Sequence, residues 1–277
     1  MGVVFLSLCS AIAFGLSDFV GGVLTRRASA WAVAATSQAT ATLLTFGVVA
    51  TRIGEPDSTA VLWGVLGGLG SGVGNVCIFR GLAGGRMAVV APLSAIAAAA
   101  LPVLVGIFAG ERPGTYQYVG VLAALPAIWL VSGGGWRLPN AHRADIVNGL
   151  VAGLGFGVQF SALGQVPSHA GLMPLAISQI VSVMTIVIGA IAMSASWFPS
   201  DRVSRLGSVA GLFAGIATVC FQLAVQQGLL TIAGVLASLY PAVTVMLAAT
   251  VLRERIHFAQ GIGLSLAALA VTLIASD

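Results

Sequence analysis

The chain has 277 residues, of which 58% are apolar and only 7% charged, far below the roughly one quarter charged that coats an ordinary soluble domain. Its apolar residues gather in runs of about twenty, the length that crosses a bilayer at about 1.5 Å per residue, which excludes a water-soluble globule. The net charge of +4 sets twelve basic residues, all arginine, against eight acids, and those arginines are scattered between the apolar runs, a pattern of membrane topology and not of nucleic-acid binding.

In chain order the predicted spans cover residues 3–23, 31–51, 60–80, 87–109, 116–134, 146–163, 172–195, 207–227, 231–252 and 258–275, ten helices in all. The first run has no basic stretch before it and continues through Asp18, so a retained helix is expected and not a cleaved leader. Pro92 and Pro102 in the fourth span and Pro241 in the ninth free backbone carbonyls at membrane depth, which fits broken helices around a midplane site or simple packing kinks. The connections are short and rich in turn residues, such as Arg26-Arg27, Gly54-Glu55-Pro56-Asp57, Gly84-Gly85-Arg86 and Pro199-Ser200-Asp201-Arg202. Cys9, Cys77 and Cys220 all fall inside apolar runs and read as packing residues, with no disulfide or metal framework.

The longest polar connector runs from Gly133 to Asp145, near mid-chain, where a duplicated protein would be joined. Displacing the sequence by 143 positions lays Glu111-Arg112 on Glu254-Arg255, Gln117 on Gln260, Gly120 on Gly263 and Cys77 on Cys220. A shift of 142 lays Phe14-Gly15 on Phe156-Gly157. The expected domains are therefore a first five-helix repeat, 1–134, a polar linker, 135–145, and a second five-helix repeat, 146–277. Five is odd, so the second half enters the membrane from the opposite side, an all-α integral membrane fold of ten helices in two inverted repeats. Arginine placement tests the helix count: connections after odd-numbered spans hold ten arginines, and the other side holds only Arg52 and Arg112. The positive-inside rule makes the Arg-rich loops cytoplasmic and places both termini outside a cytoplasmic membrane.

Several short motifs recur in order along the chain. Phe79-Arg80-Gly81-Leu82, Ala91-Pro92-Leu93-Ser94 and Gly110-Glu111-Arg112 have a second-half echo in Ser238-Leu239-Tyr240-Pro241 and Arg253-Glu254-Arg255. By these the chain resembles the EamA-like ten-helix members of the drug/metabolite transporter superfamily, over nearly its whole length. The resemblance implies a secondary transporter or exporter of small metabolites or drugs, working by alternating access without a bound cofactor. Ser94 and Ser238, inside the motifs, join the candidate site residues.

Ionisable groups within spans are costly and require a reason. Asp18 lies past the middle of the first span and Arg80 at the same end of the third, so the two are expected to face each other across a central cavity. Asp18 either takes and releases a proton during transport, or pairs with Arg80, Arg26 or Arg27 as a fixed strut. Its repeat counterpart falls at or beside Gln159, and that of Arg80 at or beside Gln222. Gln38, Asn75, Gln159, Gln179, Gln222 and Gln226 are buried amides that either line a wet cavity or tie helices together. Tyr240, beside Pro241, either contacts solute or anchors a helix. Glu111 and Glu254 are read as caps of the fifth and tenth helices, each with a local arginine.

An enzyme is not expected, because His142, His169 and His257 map to loops and no two acids share a span. The run Gly68-x-Gly70-x-Gly72-x-Gly74 misses dinucleotide-loop spacing and reads as close helix packing. The alternative to a carrier is a channel or structural membrane subunit. Expected partners are a small solute and the lipid bilayer, with no nucleic acid, and the protein is a monomer or homodimer.

Overall fold

The computed structural model describes residues 2–51, 54–83, 87–132, 143–253 and 256–276. Arg52, Gly84-Gly85-Arg86, Trp136, Arg137, His142, Glu254 and Arg255, with most of the expected connector, lie outside the described residues.

Every element among them is helical, as lipid requires of a chain that must satisfy its own backbone polar groups. The order is α1 (Gly2–Thr25), α2 (Ala30–Val49), α3 (Ser58–Ala83), α4 (Met87–Phe108), α5 (Thr115–Val131), α6 (Arg143–Gly164), α7 (Met173–Ala192), α8 (Arg202–Arg205), α9 (Gly207–Val225), α10 (Leu230–Ala237), α11 (Tyr240–Val251) and α12 (Phe258–Ala275). Taking α8 with α9 and α10 with α11, nine stretches are long and apolar enough to cross a membrane, and α5 is a tenth, shorter apolar helix. The chain is a multi-pass membrane protein. α6 starts at Arg143, so the end of the expected linker is already helical.

Of the three prolines read as either breaks or packing kinks, only Pro241 lies at a break. The ninth span is divided at Ser238-Leu239, and Pro241, having no N–H to donate, occupies the first turn of α11 where none is needed. Pro92 and Pro102 instead lie inside a continuous α4. Within hydrocarbon a freed carbonyl finds no water, so a helix packed by its neighbours accommodates a proline with a bend and stays unbroken.

The packing follows a twofold pattern. Pairing α1 with α6, α2 with α7, α3 with α9, α4 with α10–α11 and α5 with α12 turns each principal contact into another: α3 on α6 becomes α9 on α1, α3 on α7 becomes α9 on α2, and α4 on α6 becomes α10 and α11 on α1. The contacts α2–α7, α5–α12 and α4–α10 map onto themselves and so surround the relating axis. Small residues permit the closest of these approaches. A side chain on Gly64, Gly68 or Gly72 of α3 would strike backbone of α7 at Pro174, Ser178 and Ser182, and one on Gly207, Gly211 or Gly215 of α9 would strike α2 at Val33, Ser37 and Ala41. Each glycine of the second trio stands 143 residues after one of the first. Gly70 and Gly74, on the other side of α3, meet α6 at Gly155 and Ala152, so the alternating glycines wedge α3 between two helices.

Candidate substrate pathway

Two polar groupings lie inside the bundle. The first sits between α2, α3, α7 and α9. Gln38 Nε2 donates to Gln179 Oε1 at 2.5 Å, and Asn75 Nδ2 donates to Gln38 Oε1 at 3.3 Å. Gln179 Nε2 then donates to the Thr45 and Thr218 hydroxyls at 3.3 and 3.2 Å. Gln38 and Gln179 stand 141 residues apart, Asn75 and Thr218 stand 143, so the cluster straddles the axis between the repeats. Thr45 and Thr218 were not among the candidates; threonine in a helix ordinarily returns its proton to the carbonyl four residues earlier, as both do here, and that habit hides a second role as acceptor. This cluster ties helices together.

The second grouping lies between α1, α4, α6 and α11. The Ser94 and Tyr240 hydroxyls are 3.4 Å apart, a long contact in which either can donate. The Tyr240 ring stands edge-on to Phe14 at 6.5 Å between centroids, Phe14 lies 5.7 Å from Phe160, and Phe160 lies 4.5 Å from Phe221. Asp18 is one helical turn beyond Phe14. Along α1 it belongs to the stripe Ser7, Ala11, Phe14, Asp18 and Thr25, whereas Phe5, Ile12 and Val23 on the far side are exposed to lipid. Asp18 therefore faces the interior and is partly buried there. It makes no hydrogen bond or ion pair among the described residues, and it lies within electrostatic reach of Tyr240.

Arg80 and Asp18 are not brought together. The guanidinium lies 5.9 Å over the Trp31 ring, with Nη1 3.5 Å from Met193 Sδ, so Arg80 is held toward α2 and α7. Equal depth in the membrane did not imply equal azimuth. Gln222 Nε2 donates to Leu163 O at 3.3 Å and Gln226 Nε2 to Gly171 O at 3.0 Å, which ties α9 to the end of α6 and the connection after it. Gln159 is buried on α6, and the Ser238 hydroxyl is buried without a partner among the described residues, at the break in the ninth span.

Glu111 has a different partner from the one expected. It caps α10, 119 residues away, and not its own α5: Oε1 accepts from Leu230 N at 2.6 Å and Oε2 from Thr231 N at 2.8 Å. Gly110, with φ +92°, reverses the chain after α4 and delivers the carboxylate there. α5 takes its cap from Gln117, whose Oε1 accepts from Gly114 N at 3.0 Å. α4 packs along α10 and not along α11, so the fourth and ninth spans are joined at the Glu111 end and part below Tyr240. Outside the spans, the Ser204 N–H and hydroxyl bond Asp201 and hold its carboxyl below the usual range.

The model of the EamA-like transporter family matches residues 1–133. Among solved structures, one described only as the crystal structure of a protein is similar at 16% identity, covering 98% of this chain and 95% of its own with a TM-score of 0.75, a likeness of fold. No curated protein matches the sequence.

Proposed function

From a chain whose first 133 residues match the model of the EamA-like transporter family, we propose a secondary carrier that exports a small metabolite or drug by alternating access. The observation that carries this reading is the asymmetric packing of the fourth and ninth spans: α10 lies on α4 and is capped by Glu111, while α11 lies mainly on α1 and meets α4 at the Ser94–Tyr240 contact. Two spans held at one end and free to part at the other support a carrier that opens to one side at a time, whereas a conducting pore needs both ends open together. In that cycle solute reaches Asp18 and its neighbours Phe14, Ser94 and Tyr240, and Asp18, the charged group there, couples movement to a proton. The Arg-rich loops are cytoplasmic, in the cell membrane, so the end that parts faces the cytoplasm. One polypeptide encloses the pathway.

The test is exchange in proteoliposomes. Vesicles holding the purified chain are loaded with a cell extract, and solutes exchanging against the same extract outside are identified by mass spectrometry. A carrier gives saturable counterflow of a restricted solute class. Ion conductance without counterflow would favour a channel, and neither result would leave a structural subunit.

A further inference from the structure

We infer that Cys9 of α1 and Cys220 of α9 form a two-thiol covalent site on the lipid-facing rim of the bundle, which takes an uncharged, lipophilic electrophile of the trivalent organoarsenical class. The site stands on the contact between α1 and α9 and does not depend on the carrier reading. The two helices run antiparallel in close contact. A side chain on Gly2 would meet Gln227, one on Gly228 would meet Val3, and the Ser10 hydroxyl donates to Ala217 O at 2.9 Å. Between those pairs the register lays Cys9 beside Cys220, and the two thiols lie within electrostatic reach of each other. Both are free and partly exposed. Cys9 sits between the exposed Phe5 and Ile12, one turn to either side, and Cys220 continues the exposed stripe of Leu212 and Ile216. The thiols therefore share the outer edge of the seam, where lipid reaches them.

The surroundings select the chemistry. Neither α1 before Asp18 nor α9 carries a charged residue, so nothing on these helices supports a thiolate, and hydrocarbon opposes one. A ligand that arrives through lipid and reacts without creating charge meets both conditions. With an organoarsenic oxide, the arsenic–oxygen bond and both S–H bonds break and two As–S bonds form. The two protons leave with the oxygen as one water, arsenic stays trivalent, and nothing is oxidised or reduced. A single thiol holds the arsenic by one exchangeable bond. A second thiol already in place makes the next bond intramolecular, which raises retention by about two to four orders of magnitude. The product staples α1 to α9. Cys77 supplies a comparison within the chain: it lies on α3, whose principal neighbours α6 and α7 contain no cysteine, so no second thiol stands across those seams.

The experiment uses the full chain reconstituted in phosphatidylcholine vesicles, with phenylarsine oxide as the lipophilic probe and its para-carboxylate as the charged one. Treated vesicles are washed with excess glutathione, a monothiol, and the arsenic retained per chain is read by intact mass. The native protein is compared with Cys9→Ser, Cys220→Ala and Cys77→Ser. The native chain and Cys77→Ser should each retain a single phenylarsenic group, released by ethanedithiol. In the native chain Cys77 should stay open to later alkylation by N-ethylmaleimide, while Cys9 and Cys220 should be blocked together. Cys9→Ser and Cys220→Ala should each need about a hundredfold more reagent for the same retention. The carboxylate probe should react with the native chain about tenfold more slowly, since its charge bars the route through lipid. Unchanged retention in Cys9→Ser or Cys220→Ala, loss of retention in Cys77→Ser, or no retention by the native chain overturns the inference. Equal rates for the two probes overturn its lipid-facing placement. If the Cys9 and Cys220 variants are not monodisperse, the alkylation pattern of the native chain decides.

Discussion

The two halves of the ninth span are one continuous apolar stretch in sequence and two different surfaces in the structure. All eight residues of α10 are buried, whereas in α11 only Tyr240 and Pro241 are. α10 lies against α4 with its N-terminus held by Glu111; α11 lies against α1 and α5 and leaves α4. Composition does not separate the two, since both are rich in Val, Ala, Leu and Thr. A neighbour covers one half and not the other, and the break at Ser238-Leu239 lets each take its own direction.

This contrast can be broken at the sealed half. Thiol-reactive water-soluble probes report it, once the free Cys9, Cys77 and Cys220 are replaced, by comparing Ala233→Cys in α10 with Ala248→Cys in α11. The α11 site should label at least tenfold faster. The largest expected effect on that ratio comes from Gly234→Leu, because a Cβ there would stand 2.8 Å from the Pro102 ring. Forcing in the side chain costs about 1–3 kcal/mol, and labelling at Ala233→Cys should rise by one to two orders of magnitude. Glu111→Gln comes next. It keeps an acceptor but removes the charge from both amide bonds, costing about 1–2 kcal/mol, so labelling of the sealed half should rise roughly tenfold. Unchanged labelling would mean that the cap does not hold the seal.

Tyr240→Phe sharpens the boundary where the halves part. The hydroxyl contact it removes is long, worth about 0.5–1 kcal/mol, so labelling in α11 should change by only two- to threefold. The smallest effect belongs outside the contrast, at Asp201. Its carboxyl titrates below the ordinary range because the charged form accepts the Ser204 bonds, so its contribution is fully present above the unfolded carboxyl's pKa and is lost as pH falls through the lowered one. Thermal unfolding from pH 7 to pH 3 should lose slightly less stability in Asp201→Asn than in the native chain, with no change in the labelling ratio.

Much of the fold was legible in sequence because lipid imposes it: the ten apolar runs became helical stretches, nine of them long enough to cross a membrane and α5 shorter. What stayed hidden depends on azimuth and distant neighbours. Asp18 and Arg80 share a depth but turn to different helices, and nothing local to Glu111 names a helix end 119 residues away. The glycine trios were legible in principle, since Gly64, Gly68 and Gly72 stand at the same offset from Gly207, Gly211 and Gly215, but their meaning required knowing that α7 and α2 pass beside them.

The bond between Gln38 and Gln179 has a consequence for symmetry. Equivalent residues meeting on a twofold axis cannot both donate and both accept through one contact; Gln38 gives the proton and Gln179 receives it. In a dimer of separate identical chains, either molecule could take either role, and the surroundings would have to tolerate both. Within one chain the two sides can differ, and here they do: Asn75 serves the carbonyl of Gln38, while Thr45 and Thr218 receive the amide of Gln179. A single chain thereby fixes a choice of partner that a symmetric dimer leaves open.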